Sequence, residues 1–190
     1  MAFGSRKPRA KTEYNEPLLY DYALGALGRR MRSVSEMRTL LRRKVADRSE
    51  YATVLVETVL ARLREQALLD DAKYAEVFSG YRRDNEKFGK RRVVNELRTK
   101  GVTADVIDSA LSETYGEVNE EAQAREYMRR KRLKQPTNQK ETARIFRGLI
   151  RAGFSAKIIF TILKQWNVEE EVLTALEGEE PLTAEDTEER

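Results

Sequence analysis

Cysteine and histidine are both missing from the 190 residues. Their absence excludes disulfide bonds, thiol nucleophiles, a histidine general base and zinc sites built from those ligands, which leaves only carboxylate sites for hard cations. No stretch approaches the roughly 18 apolar residues of a membrane span. The basic opening MAFGSRKPRAKTEYNEP also contains no apolar signal core. A phosphate-binding P-loop is absent, because FGKRR has neither the glycine spacing nor the hydroxyl partner that such a loop needs. These gaps lead us to expect a soluble cytoplasmic protein that uses no cofactor and spans no membrane. A surface-lying amphipathic helix stays open.

Charge is abundant and unevenly distributed. The formal net charge of +4 conceals an acidic end: from Val168 onward ten acidic residues face the single Arg190. The first 167 residues carry 35 Lys and Arg against 22 Asp and Glu, an excess of 13. A basic body of this kind suits a polyanion or an acidic protein surface, although solvated helix faces account for such charges equally well. When unbound, the acidic end is a candidate screen for that body.

Apolar residues recur at helical spacing from Leu18 to Trp166, and no alternating β-branched series interrupts them. The expected fold is all-α, an elongated array of three tandem three-helix repeats with nine principal helices. Residues 1–17 form a flexible basic arm, 18–69 the first repeat, 70–117 the second and 118–167 the third. Residues 168–190 form a helix end and an acidic, disordered tail. The repeat is visible as a constant offset of 52 residues between LRTKGVTADVIDSAL at Leu97 and LIRAGFSAKIIFTIL at Leu149. It pairs Leu97 with Leu149, Gly101 with Gly153, Val102 with Phe154 and Thr103 with Ser155.

Glycine at the paired positions allows a helix to end in the left-handed conformation. The following Thr103 or Ser155 hydroxyl is placed to cap the next helix. In the more degenerate first repeat, Ser33 and Glu36 have capping-box spacing, as do Asn138 and Glu141 in the third. Asp70 suits the cap of a helix starting at Asp71 or Ala72. A divalent ion between the paired aspartates is the weaker reading, because no wider ligand set accompanies them.

Basic clusters supply candidate contacts. They comprise Arg29 and Arg30; Arg42 and Arg43; Lys90, Arg91 and Arg92, with Lys87 opening the same helix; Arg129, Arg130 and Lys131; and Arg144 and Arg147, which continue a series from Lys140 to Arg151. Such side chains hold phosphates with little sequence readout. Phe78 and Phe154 fall among apolar helical positions and are assigned to packing. Tyr74 and Tyr81 stay open as stacking platforms, and Trp166 is a core or cap residue.

ALLDDAKYA, FGKRRVVNELRTKGV and the more degenerate GLIRAGF together resemble the RecX family, bacterial regulatory proteins that modulate the recombinase RecA. YALGALGRR and SVSEMRTLLRRKV resemble the first family repeat, so the likeness extends from about Leu18 to Trp166. It implies structural roles for Leu69, Asp70, Asp71, Tyr74 and Ala75, for Gly89, Leu97, Lys100 and Gly101, and for Leu149, Gly153 and Phe154. Ala67 stands where family members often have glycine, which puts the terminating conformation there in question.

The resemblance also implies a non-catalytic protein that engages the groove of a RecA filament on single-stranded DNA. Filament growth, ATP hydrolysis, strand exchange and repressor cleavage would be limited as a result. Whether the basic residues meet protein carboxylates or DNA phosphates stays open. The alternative is a sequence-nonspecific DNA-binding helical protein acting without the recombinase. A monomer is expected, with weak direct DNA binding.

Overall fold

Asn15 starts the first helix: its Oδ1 accepts the Leu18 amide at 3.1 Å, and Pro17 occupies the first turn, where its missing N–H costs little. The computed structural model describes residues 13–45 and 49–177. Most of the predicted basic arm and the acidic stretch 178–190 lie outside the described residues. Every regular element among those described is helical. In chain order they are α1 (Glu16–Leu27), α2 (Val34–Val45), α3 (Glu50–Glu65), α4 (Asp71–Tyr81), a π-helical turn (Arg82–Glu86), α5 (Lys90–Thr99), α6 (Ala104–Tyr115), α7 (Glu120–Arg130), α8 (Gln139–Arg151), α9 (Ala156–Gln165) and α10 (Glu170–Glu177). Two structural units divide the chain, Met1–Tyr74 and Ala75–Arg190.

In the first unit, α1 and α2 each pack against α3. Helix α3 buries Ala52, Leu55, Val56, Val59, Leu60 and Leu63, a three-and-one spacing that forms a single apolar stripe. Leu19, Ala23, Met37, Leu41 and Leu69 complete the core around it. Each fully buried Leu stabilises the unit by roughly 1.5–3 kcal/mol, more than an exposed ion pair provides.

The predicted capping box forms: the Glu36 amide donates to Ser33 Oγ at 3.1 Å, and the Ser33 amide donates to Glu36 Oε2 at 3.3 Å. Asp70 caps α4 through the amides of Ala72 and Lys73, at 2.8 and 3.1 Å. Its neighbour Asp71 instead reaches across to accept the Val34 amide at 2.8 Å, so it caps the start of α2. Burial pushes the Asp71 carboxyl above its ordinary value, while the Val34 hydrogen bond opposes that shift. Tyr74 is buried, and its hydroxyl donates to Glu36 Oε2 at 3.4 Å.

The second unit contains the 52-residue repeat. Leu97 and Leu149 are fully buried, as are the paired Leu111 and Leu163. Gly101 and Gly153 have φ values of +74° and +92°, as the pairing predicts. Just beyond each glycine, the amide of Val102 or Phe154 bonds back to the carbonyl of Leu97 or Leu149 at 3.2 Å. This closing bond, with an apolar residue following a left-handed one, is the Schellman arrangement. Ala67, Arg132 and Asn167 adopt the same left-handed conformation after α3, α7 and α9, with φ of 54° in each case. Ala67 therefore retains the terminating geometry despite its methyl group.

Three expectations need correction. Thr103 and Ser155 have the extended backbone of N-caps, but neither hydroxyl caps its own helix. At Ser155 the amide and the hydroxyl instead donate to Glu120 of α7, at 2.6 and 2.8 Å. Lys87 does not open α5; it ends the π-helical turn at φ 59°, and the helix begins at Lys90. Among the described residues there are ten α-helices rather than nine: α10 packs on α8 and buries Leu173 and Leu176 in the same core as Phe146 and Leu149.

Candidate functional site

Within the second unit, the segments around Gly89 and Gly153 meet where the two glycines let their main chains touch. The Gly89 amide donates to the Ala152 carbonyl at 2.8 Å, and Arg92 Nη1 donates to the Arg151 carbonyl at 3.3 Å. A methyl group on Gly89 would overlap the Gly153 carbonyl and lie 2.7 Å from the Phe154 nitrogen. Beneath this crossing runs an aromatic series from Phe88 to Tyr127 to Phe154, with ring centroids 6.1 and 5.7 Å apart. Tyr115 and Gln123 both donate to the Phe88 carbonyl, at 3.0 and 3.3 Å.

Beside the crossing is a cleft of about 520 Å³. Helix α5 and the residues just before and after it supply Arg82, Arg91, Arg92, Asn95, Glu96, Thr99 and Lys100. The end of α8 and its following turn supply Ile150, Arg151, Gly153 and Phe154. Five cations thus share the lining with one carboxylate. Glu96 lies between two of them, with Arg82 Nε at 2.8 Å and Arg92 Nε at 2.9 Å. The first contact is close but poorly aligned, an ion pair without a directed hydrogen bond. The Arg92 guanidinium also lies 3.8 Å from the Phe88 ring centroid, where the ring face favours a cation.

The helix termini separate the predicted basic clusters by physical cause. Arg42 and Arg43 end α2, and Arg129 and Arg130 end α7, where the negative end of the helix dipole favours cations. Arg129 also pairs with Glu126 at 2.5 Å, Arg42 lies 3.8 Å from Glu57, and Lys131 Nζ sits 5.8 Å from the Tyr127 ring centroid. Arg29 and Arg30 lie exposed after α1, with Arg30 3.4 Å from Glu36. Helix α5 is the opposite case: Lys90, Arg91 and Arg92 occupy its first turn, which has no acidic residue. Like charge at that end costs roughly 0.3–1 kcal/mol per exposed group, so local helix stability does not explain this cluster.

Of the predicted contacts, Arg91 and Arg92 enter the cleft. Lys90 lines a smaller hollow of about 260 Å³ with Tyr115, Glu120 and Ser155. Arg144 and Arg147 are exposed on α8, at the helical spacing of a stripe that includes Lys140 and reaches Arg151 in the cleft. Arg82 escaped sequence reasoning. It lies in the π-helical turn, which has no simple local pattern, and its carbonyl accepts the Phe88 amide at 3.1 Å. Phe154 is fully buried and packs in the core. Phe78 is half-buried beside Arg82, and Tyr81 is exposed. Trp166 caps α9, and its carbonyl accepts from Gln135 at 2.6 Å. Among the described residues, no group of three or more acidic residues is placed to hold a metal ion. Nor is any helix there long and apolar enough to cross a membrane.

The family described as the second three-helix domain of RecX matches residues 70–111, which contain the whole of the cleft's α5 side. The regulatory protein RecX of Myxococcus xanthus (strain DK1622) is 32% identical over 163 residues, covering 79% of this chain and 86% of the relative. The chain belongs to the RecX family. The RecX protein of Halalkalibacterium halodurans is 35% identical over 141 residues, covering 74% of this chain and 51% of the relative. The chain spans about half the length of this and two other curated RecX relatives. A crystal structure of regulatory protein RecX, 27% identical, matches with a TM-score of 0.60 over 79% of this chain and 71% of its own.

Proposed function

We propose that the protein is a mainly inhibitory regulator of the recombinase RecA, binding the groove of its filament on single-stranded DNA. Family membership is the observation that carries this reading. The cationic cleft between the second and third repeats gives it a physical basis, because a filament presents carboxylates and phosphates at regular intervals. Several modest contacts by one protein gain affinity through effective concentration. Limited filament growth would reduce ATP hydrolysis, strand exchange and repressor cleavage together. The protein acts in the cytoplasm as a monomer, and light scattering that gave a stable dimer would reject the latter.

Purified protein added to preformed filaments is expected to lower ATP turnover and strand exchange. Unchanged rates at demonstrated saturation would overturn the inhibitory reading. A second reading, nonspecific DNA binding without the recombinase, is favoured by the stripe of Lys140, Arg144, Arg147 and Arg151 on α8. It requires affinity for DNA alone that falls steeply with added salt. Tight filament binding with no DNA affinity at low salt would exclude it.

A further inference from the structure

Helix α8 turns a narrow row of cations to solvent. Lys140, Arg144 and Arg151 are exposed at positions i, i+4 and i+11, which fall within an arc of about 60° on a helix of 3.6 residues per turn. Thr142, Ile145, Phe146 and Leu149 hold the opposite side of the helix in the core. Arg147 stands in the same row with an interaction of its own, so the other three define the face. The single acidic residue of α8 is Glu141, and it is committed to the start of the helix. Its carboxylate accepts from the Thr137 amide at 2.8 Å and the Thr137 hydroxyl at 2.9 Å. These bonds hold the Glu141 carboxyl below its ordinary value, and Arg144 adds to the shift. Among the described residues, no carboxylate forms an ion pair with Lys140 or Arg151.

Helix α10 brings the acidic end of the chain to this helix. It packs on α8 and buries Leu173 and Leu176 in the core that Phe146 and Leu149 share. From Glu177 the chain continues into residues 178–190, where Glu179, Glu180, Glu185, Asp186, Glu188 and Glu189 face the single Arg190. Leu182 is the one large apolar residue there, so charge decides where the segment settles. The spacing suits the row. Glu180 and Glu185 stand roughly 16–18 Å apart in an extended chain, and Lys140 and Arg151 are roughly 16–17 Å apart along the axis of α8. Tethered through α10, the acidic groups meet the face at an effective concentration of order millimolar, which lets several weak surface ion pairs act together.

We propose that residues 178–190 are the ligand of the α8 face in the free protein, docking across Lys140, Arg144 and Arg151. The segment is then a built-in competitor. An external polyanion gains the face only by displacing it, and its apparent affinity is reduced to the fraction of molecules in which the face is open. Docking needs this chain alone, so it stands or falls independently of the regulatory role.

The absence of native cysteine makes a spin-label test clean. Thr187→Cys in the full chain accepts a nitroxide without altering charge, and broadening of backbone amide signals reports which residues the label approaches. Broadening is expected over residues 139–151, and salt at about 1 M, where the screening length is near 3 Å, should remove it. Tethering through α10 alone would bring the label near α8, so the decisive comparison is with K140Q/R144Q/R151Q, whose changes lie on the exposed side of the helix. That variant, like E185Q/D186N/E188Q/E189Q, should lower the α8 broadening by about threefold or more, the scale of losing several exposed ion pairs. Lys140→Arg should keep it. Equal broadening in the neutralised variants, or broadening spread evenly over the exposed helices, would overturn the proposal. So would an effect carried fully between molecules when spin-labelled protein is mixed with isotope-enriched protein lacking the label, because the segment would then sit on a second copy.

Discussion

The hydroxyl of Tyr115, at the end of α6, donates to the carbonyl of Phe88 at 3.0 Å, fixing the residue that immediately precedes the Gly89 crossing. Burial pushes the Tyr115 phenol well above its ordinary value, with Arg83 opposing the shift and Asp84 reinforcing it. Above about pH 10 the unfolded chain releases this proton and the folded protein keeps it. The stabilising contribution is therefore complete below that pH and is lost as pH rises toward the folded value. Tyr115→Phe should reduce stability at neutral pH by about 1–1.5 kcal/mol and flatten this alkaline loss. Urea unfolding at a series of alkaline pH values measures both effects, and an unchanged alkaline slope in the variant would assign the loss to other groups.

Gly153→Ala should be strongly destabilising, beyond the conformational cost of positive φ that it shares with Gly101. Both positions carry the conformational cost of positive φ, roughly 1–2 kcal/mol for a residue with a Cβ. At Gly153 the new methyl would also overlap the Arg92 amide nitrogen and approach the Gly89 carbonyl at 2.7 Å. Together these effects predict about 2–4 kcal/mol for Gly153→Ala. Urea unfolding measures the loss, and a loss no larger than the positive-φ cost of about 1–2 kcal/mol would contradict the close approach.

Ala67→Gly should raise stability by about 0.5–1 kcal/mol. Its φ of 54° strains alanine more than glycine, and part of that gain is offset by the greater freedom of glycine in the unfolded chain. Thermal unfolding tests this prediction, and a lowered midpoint would show that the methyl contributes a contact worth more than the strain.

The two predicted basic clusters on α5 and α7 should behave differently in filament inhibition. Arg91→Gln should weaken inhibition by about tenfold, as expected for a charge-assisted contact. Arg130→Gln with Lys131→Gln should change it by less than about threefold, because those residues complement the end of α7 and lie outside the cleft lining. Titrating each variant against preformed filaments distinguishes them, and a larger effect from the α7 pair would relocate the contact surface.

Local features were legible before the structure. The Ser33–Glu36 capping box depends on residues three apart, and the glycine terminators depend on a turn chemistry repeated at a fixed offset. The cleft depends on residues distant in the chain. Arg82 and Arg151 share its lining because the backbone passes close at Gly89 and Gly153, an approach that no helical periodicity encodes. Ser155 shows the same override, since Glu120, 35 residues earlier, takes the hydroxyl that local pattern assigned to a cap. Helix α10 was missed because Leu173 and Leu176 make a short apolar face within an otherwise acidic segment.

The bond from Gly89 to Ala152 is made entirely by peptide groups, and the two glycines contribute there by having no side chain. Mutation elsewhere on the cleft can alter its polarity without unfastening this hinge pin. The polarity of the surrounding side chains is thereby free to diverge while the attachment of the two segments persists, a separation of chemistry from mechanical linkage.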